Sequence, residues 1–88
     1  MNNIAGNDNF TIAAFPNPVQ KIVDVNLAGL QKGSARLDIL DVTGKLISTT
    51  ATGGSNKLTI DMGSYAPGAY LLRYTDNEQL FTLRLMKQ

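Results

Sequence analysis

Eighty-eight residues, 43% of them apolar, make one domain with enough apolar surface for a modest core, which excludes wholesale disorder. Eight basic residues against seven acidic ones leave a net charge of +1, with no stretch that concentrates Lys or Arg, so a nucleic-acid footprint is excluded. The chain has neither Cys nor His, which removes disulfide staples, thiol and imidazole catalysis and His metal ligands.

In chain order, the first segment is Asn- and Gly-rich, and residues 1–9 read as a linker. Residues 1–6 have no positive start and no apolar core, so they form no secretory signal peptide. If the domain works outside the cytoplasm, a carrier protein is expected ahead of it. Residues 10–14 are a weaker strand candidate. In Phe15-Pro16-Asn17-Pro18, both Phe15 and Asn17 precede proline and are pushed toward extended geometry. Neither proline can donate to a ladder, so a rigid corner between two sheets is expected here.

Five segments then alternate with period two. Residues 22–27 set Val23, Val25 and Leu27 against Asp24 and Asn26. Residues 35–41 put Leu37 and Ile39 inward, with Arg36 and Asp38 outward. Residues 57–62 send Leu58, Ile60 and Met62 one way. Residues 69–75 align Tyr70, Leu72 and Tyr74, and residues 80–86 align Phe81, Leu83 and Leu85. Residues 46–51 are a further, weaker strand. Between them, Asp41-Val42-Thr43-Gly44 fits a type I turn closed by a left-handed glycine, and Ala66-Pro67-Gly68-Ala69 fits type II. Residues 76–78 read as a plain connector. Seven short strands with a turn signal about every ten residues predict an all-β fold, a seven-stranded antiparallel β-sandwich of immunoglobulin or fibronectin-III type. The longest apolar runs are a few residues, against the ~20 needed to span a bilayer, so no membrane insertion is expected.

Catalytic chemistry is hard to assemble from what remains. Asp24 and Asp38 lie on polar faces of different strands and could face each other, but they read better as two solvated residues. The serines at 34, 48, 55 and 64 have no visible activating base. Asn7-Asp8-Asn9 lacks the ligand pattern of a calcium loop, and Gly53-Gly54 lacks the Lys-Ser/Thr of a phosphate cradle. No cofactor is expected. A carbohydrate-binding or spacer module is the alternative, with Tyr65 the best exposed aromatic.

Four elements carry a resemblance: Phe15-Pro16-Asn17-Pro18, Asp41-Val42-Thr43-Gly44-Lys45, Gly68-Ala69-Tyr70, and the basic-apolar stretch Leu83-Arg84-Leu85-Met86-Lys87. In this order and spacing, from residue 15 to 88, the chain resembles the C-terminal sorting domain of type IX secretion. The resemblance implies a domain, spanning residues 10–88, that an export machine reads. Its implied partners are the outer-membrane type IX translocon and a sortase-like protease, with a carrier protein covalently ahead. The implied route is through the periplasm to the cell surface or medium. The residues it nominates for translocon recognition are Phe15, Pro16, Asn17, Pro18, Asp41, Gly44, Lys45, Gly68, Tyr70, Arg84 and Lys87. A folded β-domain suits such a role, because binding it orders little chain. The edge of the last strand offers itself for strand addition.

Overall fold

The computed structural model describes residues 3–7 and 9–88. Eight strands form: β1 (Asn3–Gly6), β2 (Phe10–Phe15), β3 (Ile22–Gly29), β4 (Arg36–Asp41), β5 (Leu46–Ala51), β6 (Lys57–Asp61), β7 (Gly68–Thr75) and β8 (Leu80–Lys87). They build two four-stranded antiparallel sheets, ordered β1-β2-β3-β6 and β5-β4-β7-β8. The strand beyond the expected seven is β1, inside the segment read as a linker. Its four residues pair with β2 from Asn3↔Ala14 to Gly6↔Thr11. The Asn7 side chain closes that hairpin, its Oδ1 accepting the amides of Asn9 at 2.8 Å and Phe10 at 2.9 Å. An Asn/Gly-rich stretch looks like a linker because turn residues dominate it, while the pairing partner that makes it a strand lies further along the chain. Of the Asn7-Asp8-Asn9 motif, Asp8 lies outside the described residues.

The period-two faces meet as expected. Val23, Val25 and Leu27 from β3, Leu37 and Ile39 from β4, Tyr70, Leu72 and Tyr74 from β7, and Leu83 and Leu85 from β8 all join one core. Ile60 and Met62 join it, while Leu58 and Phe81, expected inward, are only partly buried against it; Phe10, Ile12 and Ala14 of β2 also belong to it, so the weaker strand candidate contributes as much core as the strong ones. Full burial of each large apolar side chain contributes about 1.5–3 kcal/mol before entropy is counted. Aromatic rings cluster at one end, with Phe10 stacked on Tyr74 at 4.7 Å and on Phe81 at 5.8 Å.

Two polar residues depart from the sequence reading. Asp38 does point outward, but it is only 1% exposed. The side chains of Arg36 (3.2 Å) and Arg73 (3.0 Å) fold over its carboxylate, and the Thr49 hydroxyl donates to it from β5. Asp24 lies on β3, in the other sheet, so the two carboxylates do not form a pair. Asp76, placed in a plain connector, is a buried hub. It accepts hydrogen bonds from the Tyr74 hydroxyl (2.6 Å), the amides of Lys32 (2.9 Å), Glu78 and Gln79 (both 2.8 Å), and the Gln79 side chain (2.9 Å). It thereby ties the β7–β8 turn to the β3–β4 loop.

Candidate functional site

The four sequence elements, far apart in the chain, converge on one end of the β5-β4-β7-β8 sheet. The register makes this explicit: Asp41 pairs with Tyr70, Tyr70 with Leu85, and Gly68 with Lys87. The proline corner completes the group. Val19 forms a parallel bridge to Lys87, its amide donating to the Met86 carbonyl at 2.7 Å and its carbonyl accepting the Gln88 amide at 2.8 Å. Asn17 reaches the same strand. Its Oδ1 accepts the Met86 amide at 3.0 Å and its Nδ2 donates to the Arg84 carbonyl at 3.3 Å. The corner therefore leaves β2 in one sheet, lies along β8 in the other, and returns to β3. Both of its X–Pro bonds are cis.

This strap corrects one expectation. The edge of β8 is not open along its length, because Asn17 and Val19 occupy its C-terminal half. β1 also packs beside β8. Val19 is fully buried, and sequence reasoning missed it; an apolar residue between Pro18 and the polar Gln20-Lys21 was the available signal.

The turn after β4 is held as the sequence predicts. Asp41 accepts from the amides of Thr43 (2.9 Å) and Lys45 (3.0 Å) and from the Thr43 hydroxyl (2.6 Å). The Thr43 hydroxyl first, and the Lys45 amide next, hold its carboxyl below the usual range. Gly44 takes φ +87°, open to glycine and strained for a residue with a Cβ. The second turn differs. Gly68 sits at φ +146°, far from the roughly +80° of a type II turn, because it already opens β7.

Not all nominated residues can meet a partner. Tyr70 is buried; its hydroxyl donates to the Ala66 carbonyl at 2.6 Å and closes the loop before β7. Its ring lies 5.5 Å from that of Tyr65, whose own hydroxyl donates to Ser48 at 3.0 Å. Tyr65 is half-buried, which leaves no aromatic platform at this point. Lys87, nominated as a contact residue, is only 8% exposed, because it continues the inward face of Leu83 and Leu85 at the rim of the core. Its ammonium donates to the Gln88 carbonyl at 2.7 Å. Asp41 is committed to its turn, and Phe15, Asn17 and Gly68 are half-buried. The exposed members are Pro16, Pro18, Gly44, Lys45 and Arg84. Beside them Val42, Ala69, Tyr70, Leu71 and Arg84 line a shallow hollow of about 210 Å³, with Val42 75% exposed. A hollow this small and shallow, with no convergent acid–base pair, suits contact with a macromolecule better than enclosure of a substrate.

Fold and site together define a small all-β domain with a strapped sheet end. A family model described as the secretion system C-terminal sorting domain matches residues 13–88, and the chain belongs to that family. It is a C-terminal sorting signal of type IX secretion, which directs export toward the cell surface or medium. A comparison with curated proteins finds no match.

Proposed function

We propose that the type IX translocon reads this domain in its folded form, at the strapped end of the β5-β4-β7-β8 sheet, while the domain itself carries out no catalysis. The observation that carries the reading is the convergence of the four elements through Val19, Asn17 and the Asp41–Tyr70–Leu85 and Gly68–Lys87 pairings. Ten of the eleven nominated residues fall into two roles, and the eleventh, Phe15, is half-buried at the end of β2. Asn17, Asp41, Gly68, Tyr70 and Lys87 shape the end. Pro16, Pro18, Gly44, Lys45 and Arg84 face outward as the contact surface.

The strand order supports an immunoglobulin or fibronectin-III-like sandwich carrying β1 as an extra strand on one sheet. On this reading a carrier protein precedes the domain, passes through the periplasm with it, and is released by the sortase-like protease that the family implies. Residues 10–88 form the unit that is read, with β1 an accessory at its edge.

The test is a reporter with its own inner-membrane signal peptide, fused ahead of the chain in a cell that has a type IX translocon. Export to the surface or medium is expected, with periplasmic retention when the translocon is deleted. Lys45→Ala combined with Val42→Ser is expected to reduce export without changing thermal unfolding, since both residues are exposed. An intact fusion that is never exported despite a working translocon refutes the reading.

A further inference from the structure

The two sheets have four edge strands, and three of them are blunted. β8 is covered by the Asn17–Val19 strap along its C-terminal half, and β1 lies against it. β1 itself is four residues ending in Gly6. β6 is five residues long and bears a charge at each end, Lys57 and Asp61. These are the ordinary devices by which proteins keep sheet edges from pairing with other chains. The fourth edge, β5, reads Leu46-Ile47-Ser48-Thr49-Thr50-Ala51. Among the described residues it is the one edge strand with no charge, proline or glycine, and five of its six residues are exposed. The Thr52 amide donates to the Ala35 carbonyl at 3.0 Å, so by antiparallel alternation the amides and carbonyls of Thr49 and Ala51 point away from β4.

The outer face beside this edge has a definite chemical pattern. At one end, Leu46 (51% exposed) lies in a row with Leu40 and Leu71 (40% exposed). At the other end Arg36 stands opposite Ala51, whose side chain is only a methyl. Two guanidiniums, Arg36 and Arg73, share the single carboxylate of Asp38, so this cluster carries one excess positive charge, and the Arg36 side chain is 53% exposed.

We propose that β5 is a docking edge for an extended acidic–apolar segment of a partner protein, added as a fifth strand to the β5-β4-β7-β8 sheet. Backbone pairing to Thr49 and Ala51 supplies the affinity. An apolar side chain rests on Leu46 and Ile47, and a carboxylate about four residues along meets Arg36; side chains every second residue share that face. A second copy of the chain is the weaker occupant. Two domains joined through six-residue edges fall well short of the roughly 1,200 Å² that stable interfaces bury, and pairing β5 with itself offers Arg36 no carboxylate. The inference rests on the reading that an export machine engages the folded domain, and it names a surface and a partner chemistry for that engagement. The Asp41–Lys45 turn leads directly into β5, which places this edge beside the strapped end.

The experiment is an NMR titration of the ¹⁵N-labelled 88-residue chain with an acetylated heptapeptide of alternating valine and threonine bearing one glutamate near an end. Saturable shifts centred on residues 46–52 are expected, with slowed amide exchange at Thr49 and Ala51. Ile47→Lys and Ala51→Pro, which charge the edge and remove an outward amide, are expected to weaken binding by about tenfold or more. Circular dichroism and thermal unfolding of both variants are expected to match the unsubstituted chain, which separates lost binding from lost folding. Replacing the peptide's glutamate by lysine, or Arg36 by Gln, is expected to weaken binding several-fold. Shifts that map to β6 or β8, no saturation at millimolar peptide, or a concentration-dependent dimer through β5 in light scattering would each overturn the proposal. The same two variants in the export fusion separate the two readings. Normal export of both, alongside export lost on translocon deletion, rejects the β5 edge and leaves the sorting function standing.

Discussion

Asp76→Ala separates stability from recognition, because Asp76 lies at the opposite end of β7 from Gly68 and Tyr70. Five donors converge on its carboxylate, and one of them, the Tyr74 hydroxyl, is buried. The amides of Lys32, Glu78 and Gln79 are only partly buried and regain water when the carboxylate goes. The Tyr74 hydroxyl does not, and leaving it unpaired costs about 1–3 kcal/mol. Losing the charge-assisted bonds to the loop amides adds about 1–2 kcal/mol after that hydration. The expected loss is therefore ~2–5 kcal/mol, a large share of what a domain of this size holds. Urea unfolding followed by circular dichroism measures it, with the midpoint moving at constant slope. A double-mutant cycle sharpens the test. Tyr74→Phe alone is expected to cost about 1 kcal/mol, yet in the Asp76→Ala background it removes the orphaned hydroxyl and should cost nothing or stabilise. Burial alone would raise the Asp76 pKa, but the Tyr74 hydroxyl and the Lys32, Glu78 and Gln79 donors outweigh it and hold the carboxyl well below the usual range. A depressed folded-state pKa gives stability that is complete above the unfolded value, near 3.8, and lost as pH falls below it. The gap between wild type and variant should thus narrow below about pH 4. Additive losses, or an Asp76→Ala loss under 1 kcal/mol, would refute the account of this hub.

Asp38→Ala leaves Arg36 and Arg73 facing each other without their shared carboxylate; both are partly exposed, so the expected loss is about 2–3 kcal/mol rather than the larger penalty of a fully buried ion. Thermal unfolding measures it, and Arg73→Ala made on top should recover part of the loss by removing one of the like charges. Lys45→Ala should leave stability within about ±0.5 kcal/mol, as an exposed position does. Lys87→Ala should cost about 1–2 kcal/mol through its buried methylene stem, with Lys87→Met recovering most of it, both read from urea midpoints.

Local pattern determined much of this protein. Period-two alternation marked the inward residues of β3, β4, β6, β7 and β8, because a strand's faces are fixed by its own sequence. Asp41 and Gly44 specified their turn, since the bonds that close it span only four residues. The four motifs placed the chain in its family before any contact was known. Tertiary structure decided what depends on distant partners. β1 is a strand only because β2 lies beside it. Asp38 and Asp76 look like solvated carboxylates until Arg73 and Thr49 cover one and Tyr74 and Lys32 reach the other. Lys87 is buried by the same inward register that buries Leu85. The strap of Asn17 and Val19 on β8 joins residues almost seventy positions apart, so no local rule could show that it closes one edge of the sheet and leaves β5 as the open one.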